Sequence, residues 1–310
     1  MRKVIAATAL ALGLAMTDAS AQMYGPATPA FAPALPELRL AAIPEAARPA
    51  FDGNRFSYME AGRADAPPLL LLHGIGANSA HWRFQYAALQ DRYRVIGWNA
   101  PGYMLTDNLK AETPSCEDYA GAVAAFLDAL GIGKAYVLGN SFGSGVAQCF
   151  AINHPQRVIK LALTGTLIGR ANTSAEEKAK NLAAREASIA GGGMTLGLSG
   201  RDEVLIGSKA PRSLRPMLQS VLAATNPRGY LQATRFISAL EPTTARADRL
   251  TMPLLLIHGR EDRITPLDTG AVPLQKAVPG ARLEILDGYG HLPEFENPEA
   301  VNALLADFFS

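Results

Sequence analysis

Cysteine is nearly absent from this chain of 310 residues, which holds only Cys116 and Cys149. Two are too few for a disulfide scaffold, and they stand at no metal-ligand spacing. In an exported protein they could pair. The simpler expectation for Cys149, in a stretch with helical character, is a small buried side chain. Charge is also scarce: 18% of residues are charged, and 29 basic residues stand against 28 acidic ones. With no basic excess and no cluster of Lys and Arg, nucleic acid and anionic membrane surfaces are not expected partners. Nor is there an apolar run long enough to span a bilayer, which needs roughly 20 residues. Internal repeats are missing too, so solenoid and propeller architectures are set aside.

What is present begins with a leader. Met1-Arg2-Lys3 is basic, Val4 to Met16 is apolar, and Ala19-Ser20-Ala21 is a small-residue cleavage site. Residues 1–21 therefore read as a signal peptide cleaved after Ala21, with an N-terminal anchor as the alternative and a periplasmic or secreted mature protein as the implied location. Its removal leaves equal numbers of basic and acidic residues, and no stable membrane insertion is expected. Residues 22–49 hold Pro26, Pro29, Pro33, Pro36, Pro44 and Pro49 among alanines. That composition resists helix and sheet, and predicts a linker or wrapping arm.

Beyond residue 50, buried-looking strands alternate with helices. Strands are predicted at Asn54 to Glu60, Pro68 to Leu72, Tyr93 to Gly97, Lys134 to Leu138 and Val158 to Thr164, with helices over Ser79 to Leu89 and Glu117 to Leu130. The rhythm breaks between Thr166 and Ala247, where only helices are predicted (174–190, 211–224, 228–240), separated by Gly191-Gly192-Gly193. It resumes with strands at Pro253 to His258 and Arg282 to Leu286, then a closing amphipathic helix from Pro298. This pattern predicts an α/β fold with a doubly wound, mostly parallel sheet, formed by residues 50–165 and 248–310, and an inserted helical cap at 166–247.

At the centre lies Leu138-Gly139-Asn140-Ser141-Phe142-Gly143-Ser144-Gly145, a serine between glycines at a strand-to-helix junction. In a chain with 28 glycines, Gly-x-Ser-x-Gly alone is as consistent with an ordinary loop as with a nucleophile elbow. Its setting favours the elbow, where Gly139 and Gly143 leave room for strand and helix to close together. A serine hydroxyl needs an imidazole to take its proton and a carboxylate to orient that imidazole. Gly259-Arg260-Glu261-Asp262 follows one later strand and Gly288-Tyr289-Gly290-His291 the next, so Asp262 and His291 are the expected partners. Glu261 is the competing carboxylate, and a turn-capping aspartate or a structural histidine is the bland alternative. The oxyanion of acyl transfer calls for two backbone N–H groups. Phe142, after the serine, and Ile75, in the turn His73-Gly74-Ile75-Gly76, are the candidates, with both side chains expected to wall the pocket. His73 is expected to brace that turn, and His81, His154 and His258 to be surface or structural residues. No metal or organic cofactor is expected.

Taken in order, His-Gly-x-Gly, Gly-x-Ser-x-Gly, Gly-x-x-Asp-x-x-x-Pro and Gly-His resemble those of α/β-hydrolase-fold serine hydrolases with a helical cap, from about Phe51 onward. That resemblance implies a Ser141-His291-Asp262 triad acting on a small-molecule substrate. Gly139-Asn140-Ser141-Phe142-Gly143 and His258-Gly259-Arg260-Glu261-Asp262-Arg263 resemble carbon–carbon bond hydrolases of aromatic degradation, which usually carry a tryptophan where Leu292 stands. Leu222 to Tyr230 resembles enol-lactonases. Dehalogenases and epoxide hydrolases of this fold use an aspartate nucleophile, so Ser141 speaks against them. Because export separates the chain from intracellular substrates, the leading expectation is an esterase. A carbon–carbon or lactone hydrolase with the same triad is the alternative, and a non-catalytic ligand-binding protein the third reading.

Overall fold

The computed structural model describes residues 32–310. The expected leader and the first part of the arm lie outside the described residues. Eight strands form one sheet: β1 Leu38–Ala42, β2 Arg55–Ala61, β3 Pro68–Leu72, β4 Arg94–Trp98, β5 Ala135–Asn140, β6 Val158–Thr164, β7 Leu254–Gly259 and β8 Arg282–Leu286. Their order is β1-β2-β4-β3-β5-β6-β7-β8. β1–β2 and β2–β4 are antiparallel and the remaining pairs parallel.

The sheet core follows from strand composition. Leu69 to Leu72 of β3 are all fully buried. Leu70 and Leu72 enter the core on one face, Leu69 and Leu71 the core on the other. A strand covered on both sides has no polar face, which is why β3 reads as unbroken leucine. Helices α1 Arg83–Leu89, α2 Cys116–Ala129, α3 Phe142–Asn153, α9 Ala271–Ala277, α10 Pro293–Glu296 and α11 Pro298–Phe308 accompany the strands. The predicted helix at 79–89 begins as a 3-10 turn, Ser79–Trp82. Between β6 and β7 lies a helical lobe of α4 Ala175–Ile189, α5 Gly193–Gly197, α6 Arg201–Leu205, α7 Arg215–Ala223 and α8 Pro227–Ala239. The two shortest are α5, which starts on the last glycine of the run, and α6, which follows shortly after it, and neither has a sequence pattern long enough to announce it.

Two expectations are corrected. The arm does contribute to the sheet: Leu38 pairs with Met59 and Ala42 with Arg55 in antiparallel register. Pro36 and Pro44 bracket the strand without entering it, so every residue of Leu38–Ala42 keeps its N–H. The two cysteines also pair. Cys116, at the start of α2, and Cys149, in α3, form a disulfide with their Cα atoms 5.3 Å apart. Ser115 fixes the start of α2 through a capping box, its hydroxyl accepting from the Asp118 N–H at 3.1 Å while the Asp118 carboxylate accepts from the Ser115 N–H at 2.8 Å. That cap sets Cys116 against α3, the helix that Ser141 opens. The Cys116→Ser/Cys149→Ser double variant is expected to lose about 4 kcal/mol of stability, the effect of reopening a loop of this length in the unfolded chain. Denaturant unfolding without reductant would show the loss as a lower midpoint.

Candidate active site

Ser141 sits between β5 and α3 at φ 53° and ψ −117°. A non-glycine residue in this region stores on the order of 1–3 kcal/mol and persists only where its surroundings enforce it. Here they do. The Ser141 N–H donates to Thr164 O at 3.1 Å, and its carbonyl accepts from the Ser144 hydroxyl at 2.6 Å and the Ser144 N–H at 2.9 Å. A Cβ on Gly139 would strike the Gly143 carbonyl, and one on Gly143 the Leu72 carbonyl. Both glycines are therefore required by close approach of strand and helix.

His291 and Asp262 meet as the sequence order suggested. The His291 Nδ1 lies 2.8 Å from Asp262 Oδ2. Asp262 Oδ2 also accepts from the Thr265 hydroxyl at 2.8 Å, and Oδ1 accepts from the N–H groups of Ile264 and Thr265 at 2.8 and 2.9 Å. Burial by itself would raise the Asp262 carboxyl. Hydrogen bonds from His258 and His291, attraction to His291 and the Thr265 N–H outweigh it and hold the group well below the ordinary carboxylate range. Asp262 is thus a fixed anion facing one nitrogen of His291. Glu261 points elsewhere, accepting from the Ser208 N–H at 2.7 Å and its hydroxyl at 2.6 Å.

A cavity of about 20 Å³ is lined by Ser141, His291, Gly74, Ile75, Asn140 and side chains of the lobe. Within it the turn after β3 faces the serine. A Cβ on Gly74 would come within 2.7 Å of Asn140 Oδ1, and Gly76 adopts φ +80°. His73 braces this turn as expected: its Nδ1 is 2.8 Å from Gly74 O, and the Ala100 N–H donates to its Nε2 at 3.1 Å. Burial pushes its pKa down to about 3, so it stays neutral. The Phe142 N–H lies at the first position of α3, where the helix dipole favours negative charge. The side chain of Phe142 departs from expectation. It turns away from the cavity into an aromatic cluster, 5.1 Å from Tyr119 and 5.7 Å from Phe236, because the buried α3 face has no other filling there.

Several contributors escaped the sequence reading. His258, expected at the surface or in a structural role, is fully buried, with Nε2 2.9 Å from Thr265 O and 3.2 Å from Asp262 Oδ2. His81 is buried too, with Nε2 2.7 Å from Glu294 Oε1, and it lines the serine cavity. Asn140 joins the serine strand to the histidine loop by donating to His291 O at 3.2 Å. The lobe is tied to both loops: the His291 N–H donates to Leu205 O at 2.8 Å and the Thr225 hydroxyl to Gly76 O at 2.7 Å. Glu296 accepts from the N–H groups of Gly207, Gly290 and Leu292 at 2.7 to 3.0 Å. Burial raises its carboxyl despite these bonds. Most of these partners lie far apart in sequence; the local pairs are His258 with Asp262, four residues apart, and Glu296 with Leu292 and Gly290.

From the lobe, Arg201 reaches the same cavity. Its Nε is buried with no hydrogen-bond partner, and among the described residues the guanidinium forms no ion pair. Burial, followed by the opposing influence of Tyr230 and repulsion from Arg185, leaves its pKa lowered. A half-buried cation that faces a cavity without a counter-charge is a ready partner for an anion entering that cavity.

A mostly parallel sheet with a strained serine at the end of its central strand defines an α/β hydrolase. The chain belongs to the α/β-hydrolase-fold family, whose model, described as alpha/beta hydrolase fold, matches residues 67–187. Among its relatives, 2-hydroxymuconate semialdehyde hydrolase of Pseudomonas putida is 31% identical over 252 residues, 78% of this chain and 87% of that protein. The dihydrolipoyllysine-residue acetyltransferase component of the acetoin cleaving system of Cupriavidus necator is 28% identical over 277 residues. That match covers 82% of this chain but only 66% of the longer relative. The structure of a thermophilic esterase from Thermogutta terrifontis superposes with a TM-score of 0.75 at 22% identity, covering 88% of this chain and 98% of the esterase. The esterase likeness is one of fold.

Proposed function

We propose that the protein is a serine hydrolase that cleaves a carbon–carbon bond next to a carbonyl in a substrate carrying a carboxylate. The unpaired Arg201 in the cavity it shares with Ser141 and His291 carries this reading. Ser141 Oγ adds to the carbonyl as His291 takes its proton. Asp262 holds His291 in the required tautomer, and the N–H groups of Ile75 and Phe142 receive the oxyanion. When the carbon–carbon bond breaks, its electron pair passes into the conjugated system of the leaving fragment, where the positive charge of Arg201 stabilises it. The fragment takes its proton from His291, and water then releases the acyl group from Ser141. The identity to a 2-hydroxymuconate semialdehyde hydrolase supports this class.

Ester hydrolysis with the same triad is the second reading, favoured by Leu292, which stands where the carbon–carbon hydrolases usually carry tryptophan. We further propose that the protein is exported, supported by the leader pattern and by a disulfide suited to an oxidising compartment.

The test compares a vinylogous diketone acid with a neutral p-nitrophenyl ester, in the wild type and in Arg201→Gln. The acid is expected to be preferred, and Arg201→Gln to reduce that preference by roughly 10²-fold, the scale of losing a desolvated charge pair. A wild type that prefers the ester, with a ratio indifferent to Arg201, would establish the ester reading instead.

A further inference from the structure

The cavity of Ser141 holds a second imidazole besides His291. His81, in the 3-10 turn Ser79–Trp82, lines it and is 1% exposed. Its Nε2 lies 2.7 Å from Oε1 of Glu294, a residue of α10 that is itself fully buried. The construction repeats that of His291 and Asp262, where a carboxylate holds one imidazole nitrogen at 2.8 Å, with the two ring nitrogens exchanged. A carboxylate offers only lone pairs, so the neutral His81 ring carries its hydrogen on Nε2 and a lone pair on Nδ1. That Nδ1 is buried and has no hydrogen-bond partner among the described residues. Phe295 stacks on the ring at 5.4 Å, and Trp82 meets it edge-on at 4.9 Å. These aromatic walls fix the plane of the ring.

A tie between chain segments does not account for the pair. Glu294 stands three residues after His291, and His81 follows the turn after β3, so their bond does join two loops of the site. Gln85 of α1 already helps to anchor the Glu294 segment, donating from Nε2 to Glu294 O at 2.9 Å and to Asn302 Oδ1 at 3.1 Å. The second carboxylate oxygen of Glu294, Oε2, is buried with no partner among the described residues. Leaving a buried carboxylate oxygen unpaired is unfavourable, and a neutral amide at this position would make the same tie without that penalty.

The free volume beside Ser141 is about 20 Å³, room for roughly one water molecule. Ser141, His291, Asn140 and His81 all line it. Resting on the acyl-enzyme step assigned above, we propose that His81 is the base that activates water for release of the acyl group, while His291 serves acylation. Nδ1 of His81 takes a proton from the water as the water oxygen bonds to the acyl carbon, and the carbonyl electron pair moves onto the oxyanion held by Ile75 and Phe142. The Glu294 carboxylate stabilises the imidazolium that forms. Collapse of the adduct then breaks the bond to Ser141 Oγ. The hydroxyl proton of the new acid passes through His291 to that oxygen, and His81 returns its own proton to solvent as the carboxylate departs.

Quenched-flow mass spectrometry would follow the Ser141 acyl adduct with the vinylogous diketone acid or the p-nitrophenyl ester, whichever the wild type turns over. His81→Gln keeps an N–H donor for Glu294 and removes the base. It is expected to form the adduct within about twofold of the wild-type rate and to lose on the order of 10²-fold in kcat, the scale of a general base. The adduct should then accumulate on nearly every molecule. Glu294→Gln should slow release in the same direction by a smaller factor. Hydroxylamine, a nucleophile that needs less help from a base, should restore turnover in both variants.

These readouts separate a base from a tie, because a displaced loop slows adduct formation and release together and hydroxylamine does not relieve it. Equal slowing of both phases, or a kcat within about twofold of the wild type in both variants, overturns the role of His81. An adduct that forms and decays equally fast in all three proteins likewise overturns that role and leaves the acyl-enzyme reading standing. If no adduct forms on Ser141 in any of them and turnover survives Ser141→Ala, the acyl-enzyme reading itself fails.

Discussion

Ser141→Ala is expected to lower kcat/KM by on the order of 10⁴-fold or more, whichever acyl substrate is used. Ser141 is the group whose backbone strain, N-cap position and flanking glycines all serve to present one hydroxyl to the cavity. Alanine removes that oxygen and leaves the N–H groups of Ile75 and Phe142 in place. Residual turnover should therefore reflect binding and oxyanion stabilisation without covalent chemistry. The substitution should change global stability little, because the elbow's bonds to Thr164 and Ser144 run through the Ser141 main chain. Single-turnover kinetics would check the loss of the acyl-enzyme burst, and circular dichroism the fold. A variant that retained full turnover would remove Ser141 from the mechanism.

Asp262→Asn is expected to reduce kcat by roughly 10³ to 10⁴-fold, the scale of presenting the wrong histidine tautomer to the nucleophile. An amide can still approach Nδ1 of His291, but it carries no charge to stabilise the imidazolium, and its NH₂ group would face N–H donors that now meet a carboxylate. The same site makes a prediction for stability. The folded-state pKa of Asp262 lies below its unfolded value of about 3.9. The ionised carboxylate therefore favours folding: its contribution is complete above the unfolded value and is lost as pH falls towards the folded one. The stability gap between wild type and Asp262→Asn should be widest at neutral pH and narrow in acid. Denaturant melts of both proteins at about pH 7 and about pH 3 would measure it. A gap constant with pH would mean that Asp262 contributes through shape and not through charge.

The sites at strand ends were legible in the sequence because short apolar strands announce their own termini, and a parallel sheet gathers functional groups where strands stop. Asp262, His291 and Ser141 each follow such a stop. β1 was not legible, since it lies at the sheet edge with Leu40 54% exposed, and an exposed edge has no alternation to read. The disulfide was missed for a different reason. Cys116 and Cys149 become neighbours only when α2 packs on α3, a contact between residues 33 apart that no local pattern encodes. The pairing of His81 with Glu294 spans 213 residues. Arg201 stood in a stretch without periodicity, and its meaning depends on which cations find partners and which do not.

The bonds of Glu296 and of the His291 main chain carry a mechanical consequence. Gly207 and Leu205 belong to the lobe, yet they are held by the same loop that presents His291. Swinging the α6 side outward would break the Leu205 bond and strip one donor from the buried Glu296 carboxylate, dislodging the imidazole in the same stroke. An open doorway on that side and a competent proton carrier are mutually exclusive. On this flank of the lobe the proton carrier doubles as the latch.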